Sequence, residues 1–570
     1  MNISVIEQNG CRHVMVQKES LTEAEESRLL ALLATPSSLP IELRFYELKW
    51  ISATLVEAIA LALAQEERSM VYFYSYHLFT YLRSLGLPVR LVHGQRLESA
   101  AAPPCRALVL GGSADSLDKI RYLIERLPLG PVTVFVIQHV AEDKINRLDE
   151  LLRQQTPYQV LMPHDMMAVE TGTIYVAPPG YNMRVAHGQV YLTRDRKKNA
   201  ARPSIDLLFE AVSREYGATA LGVLLCGWGH DGVAGAQHVV AQGGKLLILN
   251  PDDCPTAKAL VKQAQREVVG ALVVPLEVAT CLAATAATGD KPPEEHALEL
   301  FFAAVRRVYG YDYRNHHADM LGRRLEITRQ ALGLASPYAC QREILTNPEA
   351  GERLFLELSI HVTAFFRMPE QFKLLRQAIL PFLDSFCRIK IWVAGCASGE
   401  EAYSLAILLQ ELGLYERSMI YATDINPFIL MQARNGLYGR EEMATSRAHY
   451  VQAGGTGRFD DYCVERNAPF FAIHPDLRRN ILFYRHSLVE DGPFNEFQLI
   501  VCRNLLIYFN QTLQNSVMEL FERSLHQDGV LLLGEKENIR HGQGERFFTP
   551  LTKGQTAYAR HSRIMANHGQ

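Results

Sequence analysis

Residues 391–404 read IWVAGCASGEEAYS. Ile391 to Val393 are apolar and strand-like, Ala394 to Gly399 are small, and Glu400 and Glu401 open a helix pattern. A strand, a small-residue loop and a helix start are how parallel α/β sheets hold nucleotides. Here the G-x-G-x-x-G fingerprint is absent and no Lys-Ser/Thr pair follows, so neither the dinucleotide nor the P-loop chemistry is indicated. Two carboxylates at the helix start would also repel a phosphate.

The next strand pattern, MIYATDIN, ends on Asp424, 25 residues after Gly399. An acid at that place suits bidentate hydrogen bonding to ribose hydroxyls. The ligand is then a nucleoside whose other end is cationic, and S-adenosylmethionine, with a sulfonium and an ammonium, fits. Glu401 is expected to accept from that ammonium. Glu400 is expected to cap the helix, and Gly395 and Gly399 to allow close approach. The residues alone leave two readings open: a methyltransferase, or a generic Rossmann-like domain with surface acids.

The chain has 570 residues, enough for about three or four domains at ~150 residues each. Its 48% hydrophobic and 21% charged residues are those of an ordinary globular protein. A formal net charge of −4 argues against a general nucleic-acid binder. No apolar run approaches the roughly 18 residues of a membrane span, and the start has no signal-peptide pattern. Ten scattered cysteines without a C-x-x-C pair suggest neither zinc nor a redox dithiol, so no metal is expected. They read as reduced, mostly buried thiols of a cytoplasmic protein, Cys226 and Cys502 among them.

Two stretches rich in small residues, proline and charge, Ser99–Pro104 and Ala287–Glu295, read as linkers. The block before the first, residues 1–98, alternates strands (IELRFYEL, MVYFYS, VRLV) with helices (TLVEAIALALAQEE, YHLFTYLRSLGL). The order βαβαβ predicts a small parallel-type α/β sheet. It resembles a STAS domain, a regulatory module of bacterial signalling proteins. In the best register, the phosphorylated serine of that family falls on Ala53, so the resemblance does not imply phosphorylation here; the plainer reading is an interaction domain.

In the middle block, residues 105–286, three strand patterns end on chemistry. Cys105–Leu110 runs into Gly111-Gly112-Ser113, Pro131–Ile137 into Gln138-His139, and Leu221–Leu225 into the loop with Asp231. In a doubly wound sheet the carboxyl strand ends share one edge, where Ser113, His139 and Asp231 can meet as nucleophile, base and orienting acid. The alternative is that His139 ends a strand and Asp231 caps the following helix.

This block resembles the CheB protein-glutamate methylesterases of bacterial chemotaxis. The likeness rests on IQHV around His139, TIYVAPPGYNM at 173–183, ARPSIDLLFEAV at 201–212 and LLCGWGHDGVAGA at 224–236. The resemblance implies hydrolysis of γ-glutamyl methyl esters by a triad that falls on Ser113, His139 and Asp231. Two stretches depart from the family. Its G-A-S-T-G-G reads Gly111-Gly112-Ser113-Ala114-Asp115-Ser116, and its late segment ending in G-M-P reads Asn250–Lys258 (NPDDCPTAK). A carboxylate at Asp115 is expected to hurt catalysis if it points inward. The STAS-like block also stands where that family carries a receiver domain, so control by aspartyl phosphate is not expected.

Residues 296–565 resemble the CheR chemoreceptor glutamate O-methyltransferases. The matching stretches are VTAFFR at 362–367, ASGEEAYSLAI at 397–407, ATDIN at 422–426, ARNGLYG at 433–439, PDLRRNILF at 475–483 and FQLIVCRNLLIYF at 497–509. The resemblance implies a helical subdomain at 296–372 and a Rossmann-like class I methyltransferase domain at 373–565, with a small β insertion about 440–482. It places S-adenosylmethionine contacts on His361, Thr363, Arg367, Glu401, Asp424, Ser487, Leu488, Arg503 and Asn504. Arg367 and Tyr508 would flank the methyl-transfer site. The expected partners are methyl-accepting chemotaxis-type receptors at a membrane that the chain itself does not enter, with signalling partners at the STAS-like block. The whole reads as a bifunctional writer and eraser, or as a methyltransferase scaffold whose other blocks only bind.

Overall fold

The computed structural model describes residues 3–8, 11–34, 40–65, 69–92, 104–113, 115–139, 147–195, 197, 199, 201–289, 295–313, 315–358, 363–466, 468–540, 542–551 and 556–561. Residues 99–103 of the first expected linker, 290–294 of the second, and His361 lie outside them. The chain forms two compact units, one of Met1–Arg96, Asn315–His317 and Glu352–Gln570, the other of Leu97–Arg314 and Ala318–Gly351. Among the described residues no helix is long and apolar enough to cross a membrane.

In the first unit the N-terminal block is a five-stranded sheet in chain order, Ile3–Gln8, Cys11–Val16, Ile41–Phe45, Met70–Phe73 and Val89–Leu91. The three C-terminal strands and two helices are those the alternation predicts. The first two strands pair antiparallel, Ile3 opposite Val16, and the helix Glu23–Ala34 follows them. The sequence reading passed over that hairpin, although Asn9-Gly10 between two alternating runs is a hairpin signal.

The block's core does not end with the block. Leu55, Val56, Ile59, Leu78 and Leu82 pack in one cluster with Met431, Leu437, Phe470 and Ala472 of the C-terminal part. His77 stacks on Phe428 with ring centres 3.8 Å apart, and Asn435 donates to the Ile51 carbonyl at 3.1 Å.

The rest of this unit is a seven-stranded sheet. Its order is Ile481–Arg485, Ser418–Asp424, Ile389–Ala394, Phe497–Cys502, Leu525–Leu533, Ala557–Arg560, Phe548–Pro550. The first five run parallel and Ala557–Arg560 runs antiparallel to its neighbours. That makes Ile389–Ala394 central, with Trp392 fully buried between Phe497 and Phe521. The quoted stretch therefore ends at the carboxyl edge, where the sheet's connections reverse direction. A three-stranded antiparallel sheet, Leu437–Gly439, Phe470–Ile473 and Cys463–Glu465, inserts after the helix Pro427–Asn435.

The second unit holds a seven-stranded parallel sheet in the order Leu272–Val274, Lys245–Leu249, Ala220–Leu224, Ala107–Gly112, Thr133–Gln138, Thr173–Val176, Gln159–Leu161. All residues of its central strands are buried except Gln138, which accounts for their unbroken apolar runs. The helices Glu295–Tyr309 and Pro337–Thr346 also lie in this unit, where Cys281 of the helix Leu276–Thr288 meets Gln341 at 3.4 Å. Pro337–Thr346 was not foreseen, although Ser336 caps it and Pro337 opens it, a readable start signal. The last helix of the stretch expected to be helical spans Pro348–Leu358. Phe365 and Phe366 form a turn, with Phe366 at φ 50°.

Candidate active sites

The parallel register of the second unit brings three strand ends side by side. The strand Ala107–Gly112 leads to Ser113, Thr133–Gln138 on one flank to His139, and Ala220–Leu224 on the other to the Asp231 loop. The Ser113 N–H donates to the Cys226 carbonyl at 2.9 Å and the His139 N–H to the Gly112 carbonyl at 3.2 Å, which continues both ladders past the strands.

His139 Nε2 lies 2.8 Å from Asp231 Oδ2. Asp231 is 3% exposed yet ionised, because it is heavily bonded. Burial alone would raise its pKa; the bonds from His139, the Ser204 hydroxyl and the Ile205 N–H bring it below the ordinary value. Ser204 Oγ donates at 2.8 Å and the Ile205 and Asp206 N–H groups at 2.7 and 3.3 Å. These are free N–H groups of the first turn of the helix Ile205–Tyr216, aimed at a carboxylate.

Sequence reasoning missed Ser204, the N-cap of that helix, although a serine before an amphipathic run is a start signal. It also missed Asp206, fully buried, which accepts from Gly232 and Gly235 at 2.9 and 2.7 Å and so fixes the far side of the Asp231 loop.

Two expectations change here. Cys226 and Cys254, expected as free thiols, are joined by a disulfide, because a strand end and the 250–258 loop converge on the same edge. Cys502 is a free, buried thiol. The Asp115 carboxylate is engaged by the Thr256 hydroxyl and, at 2.9 Å, by the Ala257 N–H. The Thr256 bond above all holds its pKa below the usual carboxylate range.

In the first unit the loops after three adjacent strands meet in the same way. Asp424 ends the strand Ser418–Asp424; its Oδ2 accepts from Ala397 N–H at 3.0 Å and its Oδ1 from Asn426 N–H at 2.9 Å. Burial pushes its pKa up to about 6, against these bonds. The loop from Gly395 is tight: Gly395 has φ 74°, and a Cβ there would lie 2.8 Å from Leu505. The glycine is required there by a protein neighbour.

Glu401 and Arg503, two of the expected cofactor residues, bond to each other. Arg503 also donates to Gln371 Oε1 and to the Arg367 carbonyl, each at 2.5 Å. The Arg367 backbone is thus held from the loop after the strand Phe497–Cys502. Glu400, expected as a cap, is 4% exposed and accepts from the Ser398 hydroxyl at 2.7 Å. Its burial pushes the carboxyl up to about 8, so near neutrality it is mostly a neutral acid, and its bond to its own first-turn N–H is of the capping kind expected.

Ser487 is buried, with its hydroxyl accepting from Val489 and Glu490 N–H at 3.3 and 3.2 Å, and Leu488 packs on the Trp392 cluster. Thr363 is half-buried, just ahead of the turn at Phe365 and Phe366. Asn504 sits at φ 60°, and Tyr508 closes the short turn Leu506–Tyr508.

The organiser of that turn is a residue the sequence reading passed over. Glu537, 4% exposed, accepts from the N–H groups of Asn504, Leu505, Leu506 and Gly534 at 2.7–2.9 Å. Nothing in GEKEN separates Glu537 from Glu535 as a sequence.

Comparison with known proteins follows this division. Residues 361–554 match the model of the CheR methyltransferase, SAM binding domain, and residues 108–280 that of the CheB methylesterase. A Pseudomonas putida protein named as a Cher3 methyltransferase is 38% identical over 261 residues, 46% of this chain and 95% of that one. This chain belongs to the CheR methyltransferase family. The chemotaxis protein methyltransferase of Escherichia coli K12 is 33% identical over 252 residues, 43% of this chain and 84% of that one. The crystal structure of the Thermotoga maritima CheB methylesterase catalytic domain shares 24% identity, covering 30% of this chain and 94% of that one, with a TM-score of 0.28.

The chain therefore joins a CheB methylesterase domain to a CheR-family methyltransferase domain of class I fold, whose cofactor is S-adenosylmethionine. The donor set fits that cofactor. Asp424 bonds the Ala397 N–H of the small-residue loop, Glu401 opens the helix that follows it, and carboxylates at such a place suit a cationic nucleoside.

Proposed function

We propose that this chain writes and erases one modification, methylating glutamate side chains of chemotaxis-type receptors and hydrolysing the resulting γ-methyl esters. The observation that carries it is the occurrence in one chain of a His139–Asp231 bond on the strand end next to that of Ser113, and of a small-residue loop bonded to Asp424.

In the erasing half, Ser113 Oγ attacks the ester carbonyl and His139 takes its proton. With Nε2 turned to Asp231, the nitrogen left as base is Nδ1. Methanol leaves with that proton, and water then cleaves the acyl-serine by the same route. In the writing half, S-adenosylmethionine when bound supplies an electrophilic methyl group. The receptor carboxylate is already a nucleophile, so no base is assigned. Arg367 orients the carboxylate as a bidentate partner and Tyr508 walls the opposite side, so catalysis is chiefly alignment. Asp424 takes the ribose, and the family resemblance adds His361, Thr363, Ser487, Leu488 and Asn504 as cofactor contacts.

Residues 1–98 serve as a STAS-like regulatory block open to signalling partners, residues 296–372 as the helical subdomain of the transferase, and the protein works in the cytoplasm on membrane-borne receptors. The alternative, a scaffold whose esterase half only binds, drew on the charge at Asp115. The engagement of that carboxylate by Thr256 and Ala257 favours the active reading.

Labelled S-adenosylmethionine and receptor membranes test this directly. Label is expected to enter the receptor and later leave as methanol; with Ser113→Ala it enters and stays. Equal methanol release by that variant, or no incorporation at all, would reject the reading.

A further inference from the structure

The two stretches in which the esterase half departs from its family are bonded to each other. Asp115 stands where that family has the first glycine of its pair, and it keeps the left-handed backbone a glycine supplies, at φ 64°. Its Oδ2 accepts from the Thr256 hydroxyl and from the Ala257 N–H at 2.9 Å, both in the altered Asn250–Lys258 segment.

That segment is tied down elsewhere too. The Gly227 N–H donates to the Ala257 carbonyl at 2.7 Å, Cys254 is joined to Cys226, and Asp253 accepts from the Leu276 N–H at 2.9 Å. Ser113 leans on the same backbone. Its N–H donates to the Cys226 carbonyl, and a Cβ on Gly227 would lie 2.9 Å from Ser113 Cβ. The Asp115 bonds tie that segment to the nucleophile's own turn, two residues after Ser113.

We propose that Asp115 is a positioning residue of the esterase site, holding the Cys254–Ala257 segment as a fixed wall beside Ser113. This rests on the esterase reading above. Its carboxylate is spent on Ala257 and Thr256, so the negative charge faces those donors and not a developing oxyanion. A wall fixed on the nucleophile's turn keeps the bound ester in attack geometry, where a shift of about 1 Å costs on the order of a hundredfold in rate.

The test uses the full chain with Asp115→Gly, Asp115→Asn and Thr256→Val, a γ-methyl-glutamyl receptor peptide, and hydrogen exchange over residues 225–260. Asp115→Gly and Thr256→Val are expected to speed exchange at Ala257 and to lower kcat about tenfold with little change in KM. Asp115→Asn, which keeps an acceptor for the Ala257 N–H, is expected to recover most of the loss. Methyl transfer should be the same in all three.

Unchanged exchange, faster exchange with unchanged kcat, or a rise in kcat on removing the charge would each overturn the proposal. Release of methanol by the wild type with unaltered variants removes the role of Asp115 alone. No release by the wild type removes the esterase reading and this role with it.

Discussion

Arg503 and Glu401 form an ion pair almost closed to water, with 4% and 12% of their side-chain surfaces exposed. The guanidinium also reaches Gln371 and the Arg367 carbonyl, so one side chain joins the loop after the strand Phe497–Cys502, the helix start at Glu401 and the turn before the helix Pro369–Leu374. Removing one partner of such a pair strands a buried charge. Arg503→Ala is expected to destabilise this unit by about 3–5 kcal/mol and to abolish methyl transfer. Glu401→Gln, which keeps an acceptor, should lose cofactor affinity with a smaller loss of stability. Thermal unfolding and cofactor titration separate the two.

Glu400 gives a pH test. Its folded value is about 8 against 4.5 for the free side chain, so between those values the folded state holds a proton that the unfolded state releases. Its contribution to stability therefore falls as pH rises from about 4.5 to about 8 and is flat above. Glu400→Gln removes that slope. Variant and wild type should melt alike near pH 5, with the variant's advantage growing up to pH 8. A constant difference across that range would contradict the buried neutral acid.

The His139–Asp231 bond, with Asp231 so thoroughly buried, makes Asp231→Asn a clean separation of the two activities. Ester hydrolysis is expected to fall by about 10³–10⁴, because the histidine loses the acceptor that fixes its tautomer. Methyl transfer by the same protein should be unchanged. A parallel loss of both would mean a folding defect.

Ser204 affects Asp231 and the helix it caps together. Ser204→Ala is expected to cost about 1 kcal/mol as a lost cap. It also removes a bond that lowers the Asp231 pKa, so the folded value rises towards the unfolded one. The stability Asp231 contributes, present above its unfolded pKa and lost as pH falls through the folded one, becomes smaller. Acid unfolding should then begin at a higher pH than in the wild type, as a melt series from pH 3 to 7 would record.

Most of the architecture was legible because parallel strands buried on both faces write themselves as unbroken apolar runs. The strands leading to Ser113, His139, Asp231 and Gly395 were read that way, and strand order then carries their ends to common edges. What escaped lies one layer further out. Glu537 and Asp206 are acids that bond backbone N–H groups of loops distant in sequence, and an acid facing inward is spelled like one facing water. The Cys226–Cys254 link escaped because the two cysteines stand 28 positions apart, with helix, strand and turn between them. Glu400 was read as a cap from its position, the first helical residue, but the packing that buries it was not legible there.

Phe428, Met431, Leu437 and Phe470 rest on side chains from the first ninety residues. Anyone wishing to study the methyltransferase half as a fragment will find no clean place to cut before it. A chain begun after that block would present a sticky apolar face on the helix that follows Asn426, and would be prone to clump or to need a detergent. Dissecting the two activities is therefore a matter for point substitutions in the whole chain, and the scissors are better kept away from its beginning.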